Sequence, residues 1–249
     1  MIEIINDGLY SRINAFIFDI GNTLVNATGI MKYSLNKTAD IFYKKHLIIN
    51  KDRFINIYLQ VDKEIQGPRI NHLYSNMEII LPAAKAMGIS NQKLFAGLFL
   101  NHYRYFVRKR ISKNGHMIEL FSNLKSFGLK IGIATDGTTI EQMEQINRLG
   151  IYESIDAIVT SEDIGVEKPN RKIFEKIIYD LHIKNPKHAY MVGDDYSRDI
   201  IGAKESNLMA IWVTRYANIS KVTRNICADM IINNIYQLPS LIRGKQNGQ

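Results

Sequence analysis

Aspartates, one lysine and two threonines are the side chains of this chain best placed to do chemistry, because they follow short apolar runs or lie in the segments between them. Ala15-Phe16-Ile17-Phe18 is followed at once by Asp19, then by Gly21-Asn22-Thr23. Ile131-Gly132-Ile133-Ala134 runs into Thr135-Asp136-Gly137, and Ala189-Tyr190-Met191-Val192 into Gly193-Asp194-Asp195, with Asp199 five residues after Asp194. Between the last two runs lies Gly165-Val166-Glu167-Lys168-Pro169, with the proline suited to the first turn of a following helix. A short apolar run without helical spacing reads as a buried strand, and the polar residue that ends it sits at the strand's C-terminal end. In open α/β sheets that edge binds ligands. Asp19, Thr135, Lys168 and Asp194 are therefore expected to converge on one edge of one sheet.

Asp19, Asp194, Asp195 and Asp199 in one cleft would repel one another and raise one another's pKa unless a cation sat among them. Ligation by carboxylate oxygens alone, with open positions, suits Mg²⁺, which keeps waters and shares its shell with a phosphate. Carboxylates also cap helices. Asp195 is read that way, and both a metal-supporting and a purely structural role stay open for Asp199.

The elements that must position these groups follow from periodicity. After the Ala15–Phe18 strand the chain reads as successive helices from about Gly29 to Lys113, with Met31, Leu35, Thr38, Ile41 and Phe42 at helical spacing, and likewise Phe54, Ile57, Tyr58, Val61 and Ile65. Gly67-Pro68 is expected to break one helix, Pro82 to start another, and Gly88 with Asn91 to separate it from Leu94 to Val107. Tyr103, Tyr105 and Phe106 are read as core of this bundle, and Arg104 and Arg108 as a solvated face. From Gly115 the pattern alternates: helix 117–127, strand 130–134, helix 140–149, strand 157–160, helix 171–181, strand 189–192, helix 199–206, strand 210–213 and a last strand near 230–232. Alternation of this kind implies right-handed βαβ units and a parallel sheet with helices on both faces. Residues before about Arg12 read as a lead-in, and 244–249 as a frayed tail.

The order Asp19-x-x-x-Thr23, Thr135, Lys168-Pro169, Gly193-Asp194-x-x-x-x-Asp199 resembles the four motifs of the haloacid dehalogenase (HAD) superfamily of hydrolases. The helical stretch after the first motif is similar to the inserted cap of the subclass containing β-phosphoglucomutase and the haloacid dehalogenases. The resemblance implies a Rossmann-like α/β core over 12–27 and 114–243 with a helical cap over 28–113. It implies that Asp19 is a nucleophile forming an aspartyl-phosphate, assisted by Thr135 and Lys168. Asn22, Thr23, Thr135, Asp136 and Lys168 would bind the phosphate. Asp19, the carbonyl of Gly21, Asp194 and Asp199 would bind Mg²⁺.

The chain departs from that pattern at Gly21, where phosphatases of the family place a second aspartate as general acid and base. Asn22 for the usual Gly and Asp136 for the usual Asn are smaller departures. The implied activity is a Mg²⁺-dependent, phosphatase-like hydrolase of a small phosphorylated metabolite. A 2-haloacid dehalogenase, whose leaving halide needs no proton, and a phospholigand-binding protein with weak or no catalysis are the alternatives.

Composition agrees with an ordinary globular chain: 249 residues, 46% apolar, 22% charged, net charge +8. The single cysteine, Cys227, has no intramolecular partner, so a reducing, cytoplasmic setting is expected. No stretch has the roughly 18 consecutive apolar residues of a membrane span. Nucleic acid, a membrane surface and an anionic substrate would each gain from the positive charge, but most of the lysines and arginines are read as solvating the surface, and a small anionic substrate is expected from the family resemblance. Neither nucleic acid nor a membrane is expected as a partner, and a monomer or homodimer is.

Overall fold

The computed structural model describes residues 3–4, 13–66, 77–217 and 226–243. The chain forms two compact units, one of residues 1–25 with 112–249 and one of residues 26–111.

The first unit is a seven-stranded sheet. Its strands are β1 (Glu3–Ile4), β2 (Ala15–Phe18), β3 (Lys130–Thr135), β4 (Ala157–Thr160), β5 (Ala189–Gly193), β6 (Met209–Val213) and β7 (Met230–Ile232), in the order β1-β7-β6-β5-β2-β3-β4. Six strands are parallel. β1 departs from both the lead-in reading and the all-parallel expectation, pairing antiparallel with β7 through Glu3–Ile231 and Ile4–Met230. Two residues show no periodicity, so only the free edge of β7 can define this strand.

β2 lies between β3 and β5, with Ala15 opposite both Lys130 and Ala189. Flanked on both sides and covered on both faces, it is buried throughout, which is why it reads as an unbroken apolar run. Ala15 and Ile17 join a core with Ile173, Phe174 and Ile177 of one helix, whereas Phe16 packs on Tyr190 and Phe18 on Phe121 of another. Around the sheet lie α5 (Gly115–Ser126), α6 (Thr139–Leu149), α7 (Ser161–Ile164), α8 (Arg171–Asp180), α9 (Gly202–Glu205) and α10 (Leu238–Arg243). Side chains of Asn114, Thr138, Thr160 and Asn170 accept from the first-turn amides of α5 to α8, satisfying donors that would otherwise be orphaned.

The second unit holds α1 (Ala27–Lys44), α2 (Lys51–Gln66), α3 (Met77–Ala86) and α4 (Gln92–Arg110), with no strand among its described residues. Phe42, Phe54, Phe95, Phe99 and Tyr103 interlock as its core at ring separations of 5.1 to 6.2 Å. Tyr105 is 52% exposed, so only part of the 103–106 aromatic group is core. Pro82 does not start a helix but lies within α3. The hydrogen bond it forfeits would have ended on the carbonyl of Glu78, an exposed residue whose backbone can turn to water. The expected break at Gly67-Pro68 and the tail after Arg243 lie outside the described residues. No described helix is long and apolar enough to cross a membrane.

Charge is divided unevenly. Residues 26–111 carry 14 Lys/Arg against 5 Asp/Glu, or +9, which leaves −1 of the total +8 for the sheet unit.

Candidate active site

The C-terminal ends of β2, β3 and β5 bring together the residues that the sequence singles out. Asp19 directly follows β2, its amide donating to Val192 O at 3.0 Å, and Asp194 directly follows β5. Thr135 closes β3 and is buried, as are Asp19, Thr23, Lys168, Asp194 and Asp199.

Lys168 is the hub. Its Nζ donates to Asp19 Oδ1 at 2.7 Å, to Asp199 Oδ1 at 2.7 Å and to Ala134 O at 3.0 Å, so all three ammonium protons are taken up. Burial works against this charge, but Asp19, Asp199 and Asp136 outweigh it and hold the lysine's pKa above its ordinary value. Such an amine is a fixed positive charge beside Asp19 and has no proton to spare as an acid.

Carboxylate oxygens of Asp19, Asp194 and Asp199 all lie within 4.8 Å of one another. Burial, followed by the charges of Asp19, Asp199 and Asp195, pushes the Asp194 carboxyl up to about 9 against the pull of Lys168. Burial likewise lifts Asp199 to about 7, although Lys168 draws it down. One lysine thus does not neutralise the cluster. A hard cation would, and three carboxylates of this kind fit Mg²⁺ as a donor set.

Local structure explains how Asp199 gets there. Asp195 caps a helical turn, its carboxylate accepting from the amides of Ser197 at 3.0 Å and Arg198 at 3.1 Å, as its helix-cap reading expects. The turn is wide, π-helical over Tyr196–Ile201, with Asp195 O accepting from both Asp199 and Ile200. The helix therefore starts before the expected Asp199, and the wide turn folds Asp199 Oδ2 back onto the Asp195 amide at 3.0 Å. Gly193 is required there: a Cβ on it would stand 2.2 Å from Asp199 Oδ2.

The remaining residues divide by role. Thr23 points its hydroxyl at Asp194 Oδ1, 3.4 Å away. Asn22 is buried in a left-handed backbone conformation, φ 55°, inside the turn from Gly21 to Val25, which closes through a bridge between those two residues. The Asp136 carboxylate meets two protein partners. Oδ1 accepts from the Lys168 amide at 2.9 Å, and Oδ2 pairs with the Arg198 guanidinium. Gly21 brings no side chain.

Sequence reasoning passed over the residues that hold these loops. Trp212 Nε1 donates to Asp194 O at 2.9 Å, Gln142 Nε2 to Asp136 O at 3.2 Å, and Gly137 N to Ser161 Oγ at 2.9 Å. Arg198 reaches both Asp136 and the Lys168 carbonyl. Only Arg198 left a signal: an aspartate at position 136 where a neutral side chain is usual needs a counter-charge.

Comparison with known proteins identifies the family. The model of the haloacid dehalogenase-like hydrolases matches residues 16–213. A glyceraldehyde 3-phosphate phosphatase of Methanothermobacter thermautotrophicus is 27% identical over 233 residues, which are 92% of this chain and the whole of that protein. Among solved structures, the HAD-hydrolase YfnB of Bacillus subtilis, bound to magnesium, aligns with a TM-score of 0.68 at 17% identity, over 94% of this chain and all of its own. A HAD phosphatase of Thermococcus onnurineus aligns with a TM-score of 0.65 at 25% identity, covering 93% of this chain and 99% of its own.

Proposed function

The chain belongs to the haloacid dehalogenase-like hydrolases, and on that premise we propose that it is a Mg²⁺-dependent phosphatase of a small phosphorylated metabolite, with Asp19 as nucleophile. One observation carries the reading: a buried carboxylate at the ligand-binding edge has one oxygen 2.7 Å from a lysine ammonium and lies within 4.8 Å of two further buried carboxylates.

In this reading a free oxygen of Asp19 attacks phosphorus. The new O–P bond forms as the ester O–P bond breaks, the electron pair leaves with the ester oxygen, and water then hydrolyses the aspartyl-phosphate to free Asp19 and phosphate. The Lys168 ammonium offsets the charge on Asp19 and on the phosphoryl oxygens, and Thr135 holds one of those oxygens. Asp19, Asp194, Asp199 and the carbonyl of Gly21 would hold Mg²⁺, which when bound supplies the positive charge the carboxylates and a phosphate together demand. The inserted helical unit is, by family resemblance, the cap.

Gly21 bears on substrate choice. General acid–base help is typically worth about 10² to 10⁴ in rate, or roughly 3 to 5 kcal/mol, and Gly21 supplies none. The Lys168 ammonium is fully engaged and does not replace it. Substrates whose leaving group departs as a stable anion are therefore favoured.

A panel of phosphorylated metabolites with Mg²⁺ tests the proposal, with acyl phosphates as the favoured class and glyceraldehyde 3-phosphate, the substrate that the relative's name gives, as the alkyl phosphate to compare. Asp19→Asn, nearly isosteric but poorly nucleophilic, should abolish turnover and leave the melting curve cooperative. Turnover persisting above a few per cent in a pure Asp19→Asn preparation would remove Asp19 from the role. Chelator-insensitive turnover of a 2-haloacid would instead support the dehalogenase reading.

A further inference from the structure

Lysine is a poor choice for a fixed charge unless both ends of its four-carbon stem are held. Its far end is held here by Asp19, Asp199 and Ala134. Its near end is held as well, by an ion pair drawn from two other loops. The Lys168 amide donates to Asp136 Oδ1 at 2.9 Å, and the Lys168 carbonyl accepts from Arg198 Nε at 3.2 Å. The circuit closes where Arg198 Nη2 meets Asp136 Oδ2, and the same nitrogen lies 3.6 Å from Glu167. Both partners are largely buried, at 14% and 15% side-chain exposure, so the pair is not a solvated surface bridge.

We propose that Asp136 and Arg198 are paired positioning residues that grip the peptide of Lys168 from both sides and so fix its ammonium between Asp19 and Asp199. This rests on the reading of Lys168 as the amine beside the nucleophile.

The two residues act as a unit. Asp136 is anchored through Gln142 on its own carbonyl, and Arg198 through the Asp195 cap on its amide. If Arg198 is removed alone, the Asp136 carboxylate stays behind, buried and unmatched, next to Thr135 and in competition for the charge of Lys168. Breaking a buried pair from one side leaves an uncompensated charge, which is worse than removing both. An asparagine at 136 still accepts from the Lys168 amide and needs no counter-ion, so the combination Asp136→Asn with Arg198→Met is the neutral equivalent.

The experiment compares wild type, Arg198→Met, Arg198→Lys, Asp136→Asn and the Asp136→Asn/Arg198→Met double variant, using p-nitrophenyl phosphate with saturating Mg²⁺. Arg198→Met should lower kcat by about 10- to 100-fold while moving KM less than about three-fold, since a displaced amine weakens transition-state more than ground-state stabilisation. The double variant should regain about ten-fold or more of that kcat. Arg198→Lys, which keeps charge but not the fork, should fall between. Single effects that simply multiply in the double variant, or a lowered melting temperature with kcat intact, would overturn the proposal.

Hydrogen exchange of the Lys168 amide, followed by NMR, reads the clamp without turnover. It should speed up at least about ten-fold in Asp136→Ala relative to wild type, as expected when a protecting acceptor is lost. Unchanged exchange overturns the clamp even if the enzyme is active. A wild type inert toward every phosphate ester would sink the phosphatase reading alone, and the exchange result would still decide the clamp.

Discussion

Mg²⁺ binding should release protons, and the number follows from the crowding of Asp194 and Asp199. Their carboxyls sit at about 9 and about 7, against 3.8 for a free aspartate. Both are raised acids, so between about pH 4 and those values the folded protein binds more protons than the unfolded chain. Stability of the metal-free protein therefore falls as pH rises through that window, by about 1.4 kcal/mol per pH unit for each extra proton held. The ion needs the carboxylates ionised. At pH 7 the cluster as a whole gives up about one to two protons per ion. Affinity should accordingly tighten at least about 100-fold from pH 6 to pH 8, about ten-fold per unit per proton released. Calorimetric titration with Mg²⁺ in two buffers of different ionisation enthalpy gives the proton count directly, and repetition across pH gives the slope. Heats independent of buffer, with an affinity flat between pH 6 and pH 8, would refute the claim that one lysine leaves this cluster over-charged.

Three further outcomes are expected. Gly21→Asp should flatten the dependence of rate on leaving-group pKa and improve alkyl phosphates by about ten-fold or more, within the usual range for acid catalysis. A well-folded, metal-binding variant with no gain would show that the acid comes from elsewhere. Asp62, buried in the helical unit with no hydrogen-bond partner for Oδ1 among the described residues, is pushed by burial to about 6. As a raised acid it costs stability above that pH, so Asp62→Asn should stabilise by roughly 1 to 2 kcal/mol at pH 8 and by nothing near pH 3, a difference readable in paired thermal melts. Because the chain as a whole carries a net charge of +8, kcat/KM toward an anionic substrate should drop several-fold as ionic strength rises about ten-fold, with kcat unchanged; a fall in kcat alone would contradict electrostatic steering.

Much of the site was legible because buried parallel strands write themselves as apolar runs and the polar residue after each run marks one edge. Asp19, Thr135 and Asp194 follow from that rule alone, whereas Lys168 needed a motif, since it lies in a loop with no period to announce it. Asp136 shows the limit. Its position could be read, but the direction of its carboxylate was decided by Arg198, 62 residues away in sequence and adjacent only after folding. The wide turn before Asp199 was hidden for a related reason: its backbone pattern is set by what Asp195 caps and where Asp199 must reach, not by hydrophobic spacing. Pro82 misled because a proline usually opens or ends a helix, yet an exposed carbonyl four residues back tolerates it.

The insertion between β2 and β3 governs the order in which the protein can be assembled. Ala15 pairs with Lys130 and Ala189, partners 115 and 174 residues later, so the central strand leaves the ribosome long before either neighbour exists. At roughly 5 to 20 residues per second, the Ala15–Phe18 run waits roughly 6 to 23 seconds for its first neighbour and roughly 9 to 35 seconds for its second, with its apolar faces uncovered. The helical unit shortens the search that follows. α1 and α4 pack on each other, and Arg110 near its end lies 4.9 Å over the ring of Tyr33 near its start. Once those helices dock, an 86-residue excursion behaves as a short tether, and the loop-closure entropy of pairing β2 with β3 has largely been met in advance. Damage to the α1–α4 packing would thus appear first as slow maturation of the strand that ends at Asp19, even in a protein whose finished carboxylate cluster is intact.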